Sequence, residues 1–271
     1  MAIPDIDPAF VTESSAPPVI VLAGSQDDER GAAPHRHRRG QLFGSTRGLL
    51  TVGLDAGVWV MPATHAVWVP PHCLHWARSH GPFEGYAVYV AEDLCADLPA
   101  APGSLRVSGL LREAVLRAAT WPPGELDARG ERIAAVILDE IRTLPVDALG
   151  LPLPRDARLL RIARAILAAP ADERSLEEWA AWAATSARSL SRHFVQETGF
   201  TFTAWRQRAR LLRALEMLAE SVPVTTIALD LGYSTPSTFI ALFKRTFGTT
   251  PAAYRQRLRD AGELSKGDEG A

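Results

Sequence analysis

Between Ser175 and Arg255 the chain states one pattern twice: a short amphipathic helix, a break, then a second helix with a polar outer face. Ser175 with Glu178 three residues later is a capping box, which fixes the start of the first helix. Leu176, Trp179, Ala180 and Ala183 recur at helical spacing and predict its buried stripe. Thr185-Ser186 interrupts that stripe, and Ser186 suits the N-cap of a following helix whose Leu190 and Phe194 turn inward. Gly199 then supplies a left-handed stop. The pattern returns at Thr226–Leu231, closed by Gly232, and again from Thr235, a cap with Pro236 at the favoured first helical position. Phe239, Leu242 and Phe243 predict the inner face of that last helix. Between the two units, residues 202–218 contain no breaker and read as one helix. Such an arrangement restricts this part of the chain to a compact all-α unit. Its two second helices can enter successive turns of a DNA major groove, whose repeat is roughly 34 Å.

The outer faces carry the chemistry. Arg188, Ser191 and Arg192 share the side of their helix opposite Leu190 and Phe194. Short hydroxyls and arginines there are what base-edge readout requires, although the same spacing also describes an ordinary solvated basic face. The corresponding outer positions of the last helix are Ser237, Thr238, Ala241, Lys244 and Arg245. Arg206, Arg208, Arg210 and Arg213 predict a basic side on the joining helix. Net charge over the whole chain, −2, would hide a nucleic-acid binder. The distribution reveals one: residues 155–259 hold 16 Lys/Arg against 9 Asp/Glu, whereas residues 1–154 hold 12 against 18.

The landmarks in order are Leu190-Ser191-Arg192-His193-Phe194, Thr198-Gly199, Trp205, Arg210-Leu211, Ile227-Ala228, Gly232-Tyr233, Phe239, Phe243-Lys244, Phe247-Gly248-Thr249-Thr250-Pro251 and Tyr254-Arg255. This series resembles the AraC/XylS family of transcription regulators, and the match runs from about Pro154 to Arg259. The resemblance places base-reading positions at Arg188, Ser191 and Arg192 in the first unit, and at Pro236, Ser237, Thr238 and Ala241 in the second. The second set is small and nearly neutral, which departs from the usual polar residues. The first unit is therefore expected to carry most direct readout, with the second contacting phosphates or thymine methyls.

The amino-terminal half follows another pattern. Apolar runs broken by Gly, Pro and Asp predict strands at Val19–Ala23 and Tyr86–Ala91, and at residues 41–45, 49–54, 58–61 and 66–69. Asp55-Ala56-Gly57 is a hairpin signal, and strands at this spacing imply a small barrel or sandwich. Within it stand His35-Arg36-His37, Gln41 and Gly48, then Pro70-Pro71-His72-Cys73-Leu74-His75. These resemble the two cupin barrel motifs, with Gln41 where a cupin ligand is usually Glu and His72 where Gly is usual. Residues i and i+2 of a strand point the same way, so His35, His37 and Gln41 are expected to converge from one strand and His75 from another. Three imidazoles and an amide suit Fe, Mn, Ni or Zn, and they equally suit a hydrogen-bonding pocket wall without metal. The expected effector-binding set is His35, His37, Gln41, Trp59, Trp68 and His75, the tryptophans being core residues in the plainer reading. His65 and His80 read as loop or surface histidines, and Arg36, Arg38 and Arg39 as a solvated face.

Leu105–Thr120 and Leu126–Leu144 predict two helices, separated by the break at Trp121-Pro122-Pro123-Gly124. In AraC-like proteins such helices form the dimer contact; packing on their own barrel is the alternative. Leu149–Pro154 reads as an extended, proline-stiffened linker and the segment after Asp260 as a disordered tail. Cys73 and Cys95 lack metal-ribbon spacing, and neither a membrane-length apolar run nor a signal peptide at Met1–Phe10 is present, so a cytoplasmic protein is expected.

The whole is expected to be an α+β protein of two domains. A cupin-like sensor barrel (1–100) and a helical segment (101–148) precede a double helix-turn-helix domain (154–259) and a tail (260–271). The resemblance implies a regulator, not an enzyme, with promoter DNA, a small-molecule effector, RNA polymerase and a second copy of the chain as partners. A metal-dependent cupin enzyme fused to a DNA-binding module is the rival reading.

Overall fold

The computed structural model describes residues 17–121, 126–147 and 150–260. The Pro122–Gly124 break, Leu149, the Met1–Phe10 segment and the tail from Ala261 lie outside the described residues. By contacts the chain divides into two compact units: Met1–Leu54 with Trp59–Gly150, and Asp55–Val58 with Leu151–Ala271.

The first unit is built on antiparallel strands β1 (Val19–Gln26), β2 (Gly31–His35), β3 (Gly40–Leu54), β4 (Gly57–Pro62), β5 (His65–Val69), β6 (His75–Val90), β7 (Gly103–Arg106) and β8 (Val146–Asp147). They order as β1-β6-β3-β5-β7-β8, with β2 on β6 and β4 on β3. Residues 41–45 and 49–54, expected as two strands, are one. The register of β3 against β6 shifts on either side of Arg47, and Gly48 takes a φ of 79°. A Cβ at Gly48 would lie 2.5 Å from the Pro82 carbonyl oxygen, so only glycine fits the bulge. The expected strand Tyr86–Ala91 is only the last third of β6. Its earlier part runs through Gly81-Pro82 and shows no simple alternation, which is why it escapes a period-two reading. Strand β2 escapes it too, because all five of its residues are exposed and one is Pro34, as suits an edge.

Leu105, expected to open a helix, instead sits in β7 opposite Ala66 of β5. Helix α1 (Gly109–Ala118) starts later, where the Ser108 hydroxyl accepts from the Leu111 N–H; α2 (Ala128–Thr143) is capped by Asp127. Leu111, Val115 and Ala118 of α1 and Ala134, Ile137 and Ile141 of α2 share a core with Leu42, Trp68, Val88 and Leu105 of the sheet. The expected free linker is also partly a strand. β9 (Gly150–Pro152) pairs with β4, and the Leu153 N–H donates to the Ala56 carbonyl at 3.0 Å.

The second unit contains α3 (Ala157–Ala168), α4 (Leu176–Trp182), α5 (Ala187–Thr198), α6 (Phe202–Ala219), α7 (Val224–Asp230), α8 (Pro236–Phe247) and α9 (Pro251–Asp260). Ser175 and Glu178 form the capping box at α4, Ser186 caps α5, and Thr235 caps α8 with Pro236 behind it. Gly199, Gly232 and Gly248 end their helices at φ values of 75°, 74° and 71°. Trp179, Leu190, Phe194, Trp205, Phe239 and Phe243 are buried, with Phe194 edge-on to both Phe202 and Trp205. The 18-residue α6 buries nine side chains and so frames both helix pairs.

Candidate effector chamber and nucleic-acid interface

Three imidazoles meet at one end of the sheet. His35 ends β2, His37 lies in the turn before β3, and His75 opens β6 beside His35 in register. Gln41 is the second residue of β3. The expected convergence is present, with His75 on a separate strand, but His35, His37 and Gln41 come from β2, a turn and β3, not from one strand. The candidate ligand atoms of His35, His37 and His75 lie within 4.8 Å of one another, with His35 exposed and His75 buried. The Gln41 amide stands 2.9 Å from His37 Nε2 and 3.0 Å from His75 Nε2.

The hydrogen count here decides the protonation pattern. The Nδ1 atoms of His35, His37 and His75 face the carbonyls of Ala33, Arg39 and Cys73 at 2.8, 2.8 and 2.9 Å. A carbonyl only accepts, so each Nδ1 is the N–H donor, and in the neutral ring Nε2 carries the lone pair. Burial lowers the pKa of His37 and brings that of His75 down to about 4, so both rings are neutral at neutral pH. Two Nε2 lone pairs cannot face an amide oxygen. The Gln41 NH2 group therefore occupies that position and donates to both rings, leaving the amide oxygen to accept from Tyr89, its other hydrogen-bond partner. The inward-facing nitrogens are thus pre-set as acceptors and held from behind by backbone, the arrangement in which histidines hold a metal.

Phe43 packs 5.7 Å from the His75 ring and Tyr89 5.5 Å from the His37 ring. Both were missed in the sequence, because their place beside the imidazoles depends on Gln41 pairing with Tyr89 across β3 and β6. Trp59 joins the apolar cluster that includes Phe43 and Cys73. Trp68 does not line this chamber. It pairs with Leu42, one residue out of phase with Gln41, so its side chain passes to the opposite face, packs under α1 and α2, and donates to the Pro99 carbonyl. His65 and His80 are buried, not on loops or surface: each is a strand residue with a threonine hydroxyl 2.9 Å from its ring. His72 keeps the backbone its motif position demands, at φ 62°, and its N–H donates to the His37 carbonyl. Arg36 and Arg38 are exposed, Arg38 in a surface pair with Glu92, as a solvated face requires, whereas Arg39 is buried with a bond to the Pro17 carbonyl.

On the second unit, Arg188 and Arg192 of α5 are exposed and Ser191 half-buried between them. Ser237, Thr238, Ala241, Lys244 and Arg245 are all exposed along α8. The expected basic side of α6 is different. Arg206 donates to the carbonyls of Arg174 and Asp172, Arg210 to that of Pro170, and Arg213 pairs with Glu216 and Glu220. Arg208 lies 5.3 Å from the centre of the Phe200 ring. Arg206 and Arg210 thus tie α6 to the segment before α4, while the Arg213 pairs stay within α6 and its C-cap. Arg206→Met is accordingly expected to cost about 1–3 kcal/mol of stability, through two carbonyls left without their donor, and to leave the operator-to-scrambled affinity ratio unchanged. Urea melts paired with competition binding check this; a changed ratio at full stability would return Arg206 to the DNA face.

Residues 17–180 match the AraC-like ligand binding domain and residues 179–257 match a helix-turn-helix domain. The chain belongs to the AraC family of transcription regulators. The HTH-type transcriptional regulator NimR of Escherichia coli is 31% identical over 232 residues, which span 85% of each chain. The HTH-type transcriptional regulator RipA of Corynebacterium glutamicum is 33% identical over 138 residues, 51% of this chain and 38% of that one. Among solved structures, ToxT of Vibrio cholerae aligns over 88% of this chain and 97% of its own with a TM-score of 0.38 at 8% identity. The regulator thus joins a cupin-like ligand-binding domain to a helical DNA-binding domain. Among its described residues no helix is long and apolar enough to cross a membrane.

Proposed function

We propose that this AraC-family regulator is a cytoplasmic, non-enzymatic homodimer that reads its operator mainly through α5 and senses its effector at the three-histidine end of the sheet. Arg188, Ser191 and Arg192 face the base edges, with Ser237, Thr238 and Ala241 of α8 contacting backbone or thymine methyls and Lys244 and Arg245 meeting phosphate. The observation that carries this reading is the contrast between the exposed arginines of α5 and the internally bonded arginines of α6. The dimer contact uses the outer side of α1, where Leu110 and Leu116 are exposed. RNA polymerase is the partner that such a regulator recruits or excludes.

The effector chamber comprises His35, His37, Gln41 and His75, with Phe43, Tyr89 and Trp59 as its apolar wall. His35, His37 and His75 would hold a divalent Fe, Mn, Ni or Zn ion, with Gln41 able to join them only by turning its amide oxygen inward, and such an ion supplies a Lewis-acidic anchor when bound. His37→Ala or His75→Ala is expected to abolish or strongly blunt the dose response of a reporter. Operator affinity without effector should stay within about threefold, because the DNA-reading residues belong to the other unit. A normal dose response in the double variant would move the effector site elsewhere. The enzyme reading draws on the same histidines, and product formation from candidate substrates by metal-loaded protein would favour it.

A further inference from the structure

The segment that leaves the ligand-binding sheet has no idle backbone donor. Pro152 and Pro154 carry no N–H. The Leu153 N–H donates to the Ala56 carbonyl at 3.0 Å, on the hairpin tip Asp55–Val58 that by contacts belongs to the second unit. The Arg155 and Asp156 N–H groups both donate to the Glu197 carboxylate, at 2.6 and 3.0 Å. In the other direction the Pro152 carbonyl accepts from the Trp205 indole at 2.7 Å. Leu151 and Pro154 are buried. The segment is therefore clamped to the hairpin tip, to α6 and to α5.

At its start it meets the wall of the chamber. A Cβ on Gly150 would lie 2.3 Å from Trp59 Nε1, so the pyrrole ring of that indole rests directly on the backbone there. Trp59 in turn packs in the apolar cluster with Phe43, Val67 and Val69. At its end the segment meets the recognition helix. About two and a half turns separate Glu197 from Arg188, so the two point to opposite sides of α5. A carboxylate on the base-reading side would repel phosphate. On the far side it faces the N-terminal end of α3, where backbone N–H groups and the helix dipole favour negative charge. Asp156 satisfies the next two donors there, those of Arg158 and Leu159.

We propose that Glu197 is a positioning residue for operator readout: it sets the aim of α5 by holding that helix to the segment 152–156. This rests on the reading of α5 as the base-reading helix given above. Glu197 touches no base. It fixes the far end of the helix, and Arg188 and Arg192 point in one direction only while that end is held. A bidentate contact to a guanine edge tolerates little misalignment, so release of the carboxylate costs specific binding first. Contact with scrambled DNA, which needs only positive charge near phosphate, is spared. The same clamp makes readout answer to the ligand-binding sheet. Gly150 is continuous with the clamped residues, so a shift of the Trp59 wall displaces them and strains the bonds to Glu197. Linkage requires the reverse as well: operator binding must tighten the clamp.

The test uses the full-length protein, an operator duplex selected with it from a random pool, and a scrambled duplex of the same composition. Glu197→Ala is expected to lower operator affinity about fivefold or more, the equivalent of one hydrogen bond, with the scrambled duplex bound as before. Glu197→Gln, whose amide oxygen still accepts from both N–H groups, should restore the wild-type ratio. A merely structural role would move the urea midpoint and leave the ratio alone. Amide exchange on the wild type is the independent measurement. Peptides spanning 150–157 and 55–60 should exchange more slowly with operator than with scrambled DNA. Arg192→Ala is run alongside. If it lowers the ratio while folded Glu197→Ala does not, or if operator leaves exchange in the clamped segment unchanged, the inference is overturned and readout by α5 stands. If Arg192→Ala also leaves the ratio unchanged, the α5 reading falls and takes the inference with it. Should Glu197→Ala fail to fold, the exchange measurement decides alone.

Discussion

Arg192→Ala is expected to lower operator affinity by about 1–3 kcal/mol, a factor of about 5 to 150, while affinity for scrambled DNA changes much less. Arg192 is exposed on α5, one turn from Arg188, on the face opposite buried Leu190 and Phe194. Its guanidinium donates to His193 Nε2 at 2.9 Å within the same helix and has bonding capacity left for a guanine edge. Arg188→Ala should act in the same direction with a smaller effect. Lys244→Ala provides the contrast, because a phosphate contact weakens all sequences alike and reduces the salt slope by about one. Competition binding at one fixed salt concentration, then across a salt series, separates the two behaviours. An operator-to-scrambled ratio that survives Arg192→Ala would assign readout to another residue.

The contrast between these cations marks the limit of what the sequence discloses. The excess of Lys and Arg after residue 155 is a matter of counting, and the start and stop of α4, α5 and α8 follow from Ser175, Ser186, Thr235, Gly199 and Gly248, each acting over a few residues. Which arginines face DNA is not local. Arg206 and Arg210 are matched by backbone carbonyls from the segment 170–174, 32 to 40 residues away, which periodicity on α6 cannot reveal. The chamber shows the same division. The residue types at 35, 37, 41 and 75 are recognisable as a motif, but their meeting depends on the β2–β6 and β3–β6 registers. A shift of one position decides whether a side chain joins them, and it separates Gln41 and Tyr89, which do, from Leu42 and Trp68, which pack under the helices. Left-handed His72 illustrates the opposite case: the residue departs from the motif and the backbone does not.

Trp205→Ala is expected to produce the largest loss of stability in the DNA-binding unit. Trp205 is fully buried in α6, its ring is edge-on to Phe194 at 5.4 Å, and its indole N–H donates to the Pro152 carbonyl at 2.7 Å. Truncation deletes the largest side chain at the junction of α5 and α6 and leaves a cavity, for which about 3–5 kcal/mol is typical. It also leaves the Pro152 carbonyl without this donor, adding about 1 kcal/mol or more. A domain of this size has only about 5–15 kcal/mol in total, so the substitution brings the unit close to its unfolding threshold. Trp205→Phe separates the two contributions, since it keeps most of the buried ring area and removes only the N–H. Trp182→Ala serves as the comparison, because that residue is 43% exposed and its ring meets Trp179 and arginines from the side, and it should cost clearly less than Trp205→Ala. Urea melts of the full chain followed by circular dichroism give the order directly. A Trp205→Ala midpoint no lower than that of Trp182→Ala would mean that α5 and α6 are not held together through this ring.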